Sequence, residues 1–145
     1  MPSVKVSQVV NCDLEYAFDV VVSVQLYPNW NPTTKSAHKI KESPSGEEVG
    51  EGTTFLIALR GFGKQELVCT EFEKYKQVRL VPVSKMFSGG HRFIFFREGD
   101  KTRIEHELEM NPKGLMKLFT PMMGKMMNKN INETVNALQK FLERK

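Results

Sequence analysis

Cysteine, histidine and long apolar segments are all scarce in this sequence of 145 residues. The two cysteines, Cys12 and Cys69, lack the spacing of a metal site or a redox motif, so we predict two reduced, buried thiols, as in a cytoplasmic protein. The three histidines, His38, His91 and His106, do not pair at the helical spacing that a zinc site uses. No apolar run approaches the ~20 residues of a membrane span, and no signal peptide is recognisable. These absences predict a cytoplasmic domain that holds no metal and no cofactor.

Motifs of catalysis and of nucleic-acid binding are missing as well. No glycine-rich phosphate loop occurs, since Gly61-Phe62-Gly63 is more typical of a hairpin turn, and no serine lies in a nucleophile elbow. The net charge of +4 is concentrated after residue 110, where seven basic and two acidic side chains occur. These basic residues do not alternate with stacking aromatic residues. We therefore predict a solvated basic helix face and no nucleic-acid partner.

The clearest positive feature is a long amphipathic segment at the C-terminal end. Residues 112–119 are predicted to form a short helix, followed by a long helix with Thr120 as N-cap, Pro121 at the first position and Arg144 at the end. At about 100° per residue, one half of this long helix is apolar and must cover an apolar surface. The apolar half contains Met123, Met126, Met127, Ile131, Val135, Ala137, Leu138, Phe141 and Leu142.

Most of the preceding sequence shows the two-residue alternation of half-buried strands. We predict one strand containing Val4, Val6 and Gln8, a helix that begins after Asp13, and a turn or single helical turn at residues 26–32. Six further strands are predicted at residues 35–42, 53–60, 65–73, 77–83, 91–97 and 102–110. Short connections favour antiparallel hairpins, and no linker interrupts the chain. The prediction is one α+β domain, residues 1–145, in which a curved seven-stranded antiparallel sheet wraps the long C-terminal helix and two short helices follow the first strand.

Three short motifs carry a resemblance to a known family. They are YPNWNP at residues 27–32, VGEGT at residues 49–53 and GDKTRI at residues 99–104. Together with the order of elements, they resemble the START-like (SRPBCC, helix-grip) superfamily, and within it the polyketide cyclase/dehydrase and lipid-transport group. The resemblance spans essentially the whole chain. It implies a helix-grip fold with a cavity between helix and sheet that holds a hydrophobic small molecule, and it implies no universal catalytic residue.

Strand alternation indicates which side chains would line such a cavity. In the last strand Ile104, His106 and Leu108 share one side, and three glutamates share the other. For the strand at residues 91–97 alternation leaves open whether His91 or Arg92 faces inward. The predicted lining consists of Trp30, Phe55, Ile57, Leu59, Leu67, Cys69, Leu80, Phe93, Phe95, Ile104, His106, Leu108, Met123, Met127 and Ile131.

Three interpretations of function follow from these residues. The first is a module that binds or carries a hydrophobic molecule such as a lipid, a polyketide or an isoprenoid-like compound, which requires only apolar area. The second is an enzyme of the polyketide cyclase or dehydratase type, in which His106 transfers protons. The third is a protein-interaction domain that uses the apolar end of the long helix. We favour the first, because His106 is the one polar group that alternation places in the cavity.

Methionine is concentrated near the start of the long helix, with six of the eight methionines at residues 110–127. Such flexible side chains suit either a cavity wall or an irregular core. Met122 lies on the polar side of the helix near Phe119, which predicts an exposed apolar patch at one end of the fold. Lys117 and Lys125 flank this patch, so we predict transient contact with an acidic membrane surface. Leu115, Met116, Lys113 and Lys129 lie nearby.

Overall fold

One antiparallel sheet dominates the computed structural model of the protein, which describes residues 3–61 and 63–144. The strands are β1 (Ser3–Val10), β2 (Thr34–Lys41), β3 (Thr54–Leu59), β4 (Gly63–Glu73), β5 (Gln77–Val83), β6 (Phe87–Glu98) and β7 (Lys101–Pro112). Their order across the sheet is β1-β7-β6-β5-β4-β3-β2, and all six pairings are antiparallel. The predicted fold class and the predicted number of strands are confirmed.

Four helical segments accompany the sheet. They are α1 (Leu14–Val22), a first 3-10 helix (Val24–Asn29), a second 3-10 helix (Gly114–Phe119) and α2 (Thr120–Glu143). Thr120 is the first residue of α2 and not its N-cap, because its backbone is already helical and its hydroxyl donates to the carbonyl oxygen of Lys117 at 2.7 Å. Among the described helices, none combines the length and the apolar character that crossing a membrane requires.

The C-terminal helix α2 lies across the inner face of the sheet, against β1 and β7. Its buried side chains are Met123, Met127, Ile131, Thr134, Val135, Leu138 and Leu142. Met126 is 51% exposed although the helical wheel assigns it to the apolar half. At ~100° per residue it lies about 60° from Met123, outside the buried arc. The sheet thus covers a narrower stripe of α2 than the sequence predicts.

Strand β6 begins at Phe87, four residues before the predicted start at His91. Gly89 and Gly90 precede the predicted start, yet both lie within the strand and pair with Met110 and Glu109. Gly89 has a φ of +110°, and a Cβ atom there would lie 2.3 Å from the carbonyl oxygen of Glu109. The strand therefore needs glycine at this position. The predicted turn at residues 61–63 includes Phe62, which lies outside the described residues.

The main apolar core lies between α1 and the central strands. Phe18 of α1 is 1% exposed and makes edge-to-face contacts with Phe72, Tyr75 and Phe95, at centroid distances of 5.2–5.6 Å. Cys69 is buried in this core, but Cys12, which was predicted to be buried, is only partly so. Cys12 lies just beyond the end of β1, where the chain leaves the sheet. Both cysteines are free thiols.

Phe18→Ala should lower the free energy of unfolding by about 3–5 kcal/mol, because it removes a buried ring and leaves a cavity. Tyr16→Ala on the same helix is the matched control, since Tyr16 is 42% exposed and its loss should cost far less. Urea unfolding of both variants measures the difference. Equal destabilisation by the two substitutions would contradict this assignment of the core.

Candidate functional site

The inner face of the sheet carries two separate apolar clusters. The main cluster surrounds α1 and includes Val10, Ile104 and Leu138. The second, which we call the methionine cluster, lies beneath the first half of α2. Its buried members are Leu108, Met123, Met127, Ile131 and Val135, and its partly buried members are Val4, Val6, Phe87 and Met110.

The predicted cavity lining is divided between these two clusters. Nine of its residues are buried in the main cluster: Trp30, Phe55, Ile57, Leu67, Cys69, Leu80, Phe93, Phe95 and Ile104. Leu59 packs against that cluster while only partly buried. Leu108, Met123, Met127 and Ile131 belong to the methionine cluster. His106, which is 1% exposed, lies between the clusters. That these residues line a ligand cavity stays a prediction.

Two of the hollows on the surface of the described residues border predicted lining residues. One, of about 300 Å³, lies between the first 3-10 helix and the last turns of α2. It is lined by Asn29, Trp30, Ala137, Lys140 and Phe141. The other, of about 530 Å³, is lined by Lys35, Ala58, Leu59, Arg60, Gly61, Gly63 and Lys64. Of the predicted lining, only Trp30 and Leu59 border these hollows, because the other members pack against one another.

The best-defined polar feature of the inner face is a pair of histidines. His91 Nδ1 and His106 Nε2 lie 3.1 Å apart, within hydrogen-bond distance. Phe93 pairs with His106 across β6 and β7, and its ring stacks on the imidazole of His106 at a centroid distance of 4.1 Å. His91 therefore faces inward. Arg92 points to the outer face, where it donates to Glu71 at 2.7 Å and to Gln77 at 3.0 Å.

Sequence reasoning found His106 but not its partner. Alternation in residues 91–97 places His91 on the same side of the strand as Phe93 and Phe95, which is the side that faces the core. It was ambiguous because the opposite phase, which contains Ile94 and Phe96, is also apolar. Pairing with β7, whose inward and outward sides are unmistakable, resolves the ambiguity.

Burial keeps both imidazoles of the pair neutral near pH 7. It lowers the pKa of His91 to about 4. The pKa of His106 is lowered well below its ordinary value, mainly by burial and further by the nearby His91. In the neutral pair, one nitrogen donates the shared hydrogen bond and the other accepts it. The pair can thus form hydrogen bonds with an uncharged group, and it is a weak proton acceptor at neutral pH.

Two further polar side chains are buried at the boundary between the clusters. Gln8 on β1 lies between Val6, which packs against the methionine cluster, and Val10, which belongs to the main cluster. Thr134 occupies the corresponding place on α2. We call Gln8, His91, His106 and Thr134 the polar layer. Sequence analysis assigned Gln8 to the buried side of β1 but attached no role to it.

One end of the fold exposes a large apolar surface. Leu115 is 83% exposed and Leu118 is 77% exposed, and the second 3-10 helix has no buried residue. The backbone N–H of Lys113 donates to the carbonyl oxygen of Met86 at 2.8 Å, which brings the β5–β6 connection to the same end. We call this the basic apolar surface. It comprises Met86, Leu115, Leu118, Phe119, Met122 and Met126, with Lys85, Lys113, Lys117, Lys125 and Lys129.

The structure confirms that Met122 and Phe119 are exposed, and it adds Leu118 and Met86. Leu118 is not among the residues that the sequence analysis assigns to this patch, although the short helix that contains it buries none of its side chains. Within the described residues, no group of three or more His, Cys, Asp or Glu side chains is arranged to hold a metal ion.

A curved antiparallel sheet that grips a long C-terminal helix defines a START-like, helix-grip domain, a class that binds hydrophobic ligands. The chain belongs to the polyketide cyclase/dehydrase and lipid transport family, whose sequence model matches residues 10–139. A comparison with curated proteins found no match.

Several solved structures share this fold. A START superfamily protein from Mycobacterium smegmatis is similar with a TM-score of 0.80 and 18% identity, covering 97% of this chain and 96% of the other. The Zhui aromatase/cyclase from Streptomyces sp. R1128 is similar with a TM-score of 0.73 and 10% identity, covering 97% and 92%. The Aha1 dimer from Colwellia psychrerythraea gives a TM-score of 0.67 and 12% identity, covering 99% and 97%. At these identities the likeness concerns the fold alone.

The histidine pair should make stability depend on pH. The pKa of His91 is about 4 in the folded state and 6.5 in the unfolded chain, so the unfolded chain binds more protons between these values. The free energy of unfolding should therefore fall as the pH is lowered from about 6.5 to about 4, by up to ~1.4 kcal/mol per pH unit for each histidine. Urea unfolding across this pH range measures the slope.

The double variant His91→Phe/His106→Phe removes both imidazoles together and leaves no unpaired partner, so its slope should be smaller than that of the wild type. His38→Gln is the matched control, since His38 is exposed on β2 and should leave the slope unchanged. The same slope in all three proteins would show that the histidine pair does not control the pH dependence.

Proposed function

We propose that this domain binds and carries a hydrophobic small molecule, accommodated between α2 and the sheet at the methionine cluster. The observation that supports the proposal is that the apolar side chains around this cluster are only partly buried. Val4, Val6, Phe87 and Met110 pack against it while remaining partly exposed, although their side chains are apolar. The chain belongs to a family whose description names polyketide cyclases and lipid transport, and this membership supports a hydrophobic ligand.

A ligand needs room, and this end of α2 can provide it at low cost. Among the described residues, the helix has its main contacts to the sheet at β1 and β7. The second 3-10 helix, which leads into α2, buries no side chain. Segments with few buried contacts open locally at small free-energy cost. Met123 and Met127 can also change rotamer to fit an irregular ligand, because their side chains are unbranched.

Binding is favoured over catalysis by the state of the histidine pair. A general base works best when its pKa lies near the working pH, and burial lowers the pKa of both histidines below that range. The cyclase or dehydratase interpretation would require His106 to accept a proton in an apolar environment. It remains the second candidate, because the pair is buried beside the methionine cluster, where His91 pairs with Leu108.

Met123→Lys should weaken binding of an apolar probe at least about tenfold, because it places a charge among the apolar side chains of the cluster. The fluorescence of N-phenyl-1-naphthylamine, a neutral probe that brightens in apolar surroundings, measures the affinity. Met126→Lys is the matched control, since Met126 lies one helical turn away and is exposed. Circular dichroism establishes that both variants are folded.

Native mass spectrometry of freshly purified protein provides an independent measurement. A co-purifying small molecule that Met123→Lys loses and Met126→Lys retains would support the carrier proposal. Equal probe affinity in all three proteins would place the apolar binding site elsewhere.

We further propose that the basic apolar surface rests transiently on an acidic membrane surface to load or release the ligand. Residues 111–132 contain four lysines and no acidic residue. Within the described residues none of these lysines forms an ion pair, and the side-chain Nζ of Lys113 donates only to the carbonyl oxygen of Ser84, at 3.5 Å. Each lysine near an anionic surface contributes up to ~1 kcal/mol of binding, and the exposed leucines can insert beside them.

Leu115→Ser/Lys117→Glu/Leu118→Ser should abolish most vesicle binding, because it removes two exposed apolar side chains and reverses one charge. Co-sedimentation with phosphatidylcholine vesicles, with and without phosphatidylserine, measures the bound fraction. Ile40→Ser/Lys41→Glu is the matched control, which changes an exposed apolar residue and a lysine on β2.

Retention by the acidic vesicles no greater than by the neutral ones would contradict the membrane proposal. Loss of a dimer in the triple variant, measured by analytical ultracentrifugation, would instead assign this surface to a protein partner.

A further inference from the structure

Gln8 is a buried side chain whose hydrogen-bonding groups have no partner among residues 3–61 and 63–144. It is 8% exposed, and both its Nε2 and its Oε1 are enclosed without a hydrogen bond to that part of the chain. A buried carboxamide without partners costs about 1–3 kcal/mol for each unpaired group, whereas leucine or methionine would fill the same space at no such cost. A side chain of this kind on the packed inner face of the sheet indicates a role other than stability.

The strand register places Gln8 beside the histidine pair. Val6 pairs with His106, and Gln8 pairs with Ile104, so Gln8 and His106 are diagonal neighbours on adjacent strands. His91 follows on β6, where it pairs with Leu108. Because β1, β7 and β6 are neighbours in the sheet, the three side chains form a diagonal row across its inner face. The methionine cluster lies on one side of this row and the main cluster lies on the other.

The chemistry of this row determines what it can recognise. A carboxamide offers donors and an acceptor side by side, and a neutral imidazole offers one of each. The row contains no lysine or arginine that could balance a buried anion and no carboxylate that could balance a cation. A charged group would therefore lose its hydration without compensation.

We infer that Gln8 determines specificity at the proposed ligand site by hydrogen bonding, together with the histidine pair, to an uncharged hydroxyl or carbonyl group of an otherwise apolar ligand. The inference rests on the proposed function, because the methionine cluster supplies the apolar part of the same site. The low pKa values of the two histidines agree with an uncharged group. Plain hydrocarbons and ionised carboxylates should be the poorer ligands.

Three naphthalene compounds test the inference, since they share one ring system and differ in a single group. Naphthalene carries no polar group, 2-naphthol carries a hydroxyl, and 2-naphthoate is ionised at neutral pH. Displacement of N-phenyl-1-naphthylamine measures their affinities. The wild type should bind 2-naphthol about tenfold more tightly than either of the other two compounds, as expected for one or two hydrogen bonds to a buried partner.

Gln8→Leu should lose the preference for 2-naphthol and keep its affinity for naphthalene. Gln8→Met, which is closer in shape, serves as a second variant, and Gln139→Leu on α2 is the matched control. Without ligand, Gln8→Leu and Gln8→Met should also raise the thermal midpoint, because both remove an unpaired carboxamide. A merely structural glutamine would give the opposite shift.

The outcomes separate this inference from the function on which it rests. If the wild type binds naphthalene as well as 2-naphthol, or if both Gln8 variants keep the preference, the inference fails and the carrier proposal survives. A lower thermal midpoint in both variants means that an ordered water satisfies Gln8, and this too overturns the inference. If the wild type binds none of the three compounds, the apolar binding site fails together with the inference.

Discussion

The contact between α2 and the β1–β7 edge of the sheet is the constraint on which the other features depend. It joins the two ends of the chain, since β1 pairs with β7 along its whole length and α2 packs on both strands. At one end of the contact, Glu143 accepts a hydrogen bond from the backbone N–H of Asn11 at 2.8 Å. There Leu138 and Leu142 join the main cluster. At the other end the helix covers only the smaller methionine cluster, so α2 is fixed firmly at its C-terminal half and lightly at its N-terminal half.

The polar layer lies at the boundary between the main cluster, which the C-terminal half of α2 covers, and the methionine cluster, which its N-terminal half covers. A fold selected for stability alone would join the two clusters into one apolar core, because buried polar groups cost free energy unless all their hydrogen bonds are made. His91 and His106 share one hydrogen bond, which satisfies part of their hydrogen-bonding capacity. Among the described residues, Gln8 has no hydrogen-bond partner for either of its side-chain polar atoms. The layer thus lowers stability but provides hydrogen-bonding groups beside the region where, in the proposed carrier, α2 would open. In the proposed carrier, an apolar ligand replaces side-chain contacts of the methionine cluster, and its polar group completes the layer.

Strong alternation made much of the fold predictable from the sequence, and β7 shows why. Its glutamates and its apolar residues lie on opposite sides without exception, so the inward direction of His106 follows from the pattern alone. Strand β6 shows the limit, because both of its sides are apolar and only its pairing with β7 orients His91. Gly89 shows a second limit, since a glycine required by close strand approach is indistinguishable in sequence from a glycine in a turn. The unpaired state of Gln8 depends on three strands and a helix at once, which no local pattern contains.

The two sides of the first turns of α2 connect the proposed ligand site with the proposed membrane contact. Met123 and Met127 face the sheet, while Met122 and Met126 face solvent beside the exposed leucines. A membrane that takes Met122 and Leu118 into its apolar layer would therefore act on the same helical turns that cover the proposed ligand site. Those turns have few contacts to lose, because the preceding 3-10 helix buries nothing. A ligand can shift this equilibrium only by its different affinity for the open and closed forms. The closed form in water and the open form at a membrane would give a carrier that retains its ligand between membranes and releases it on contact.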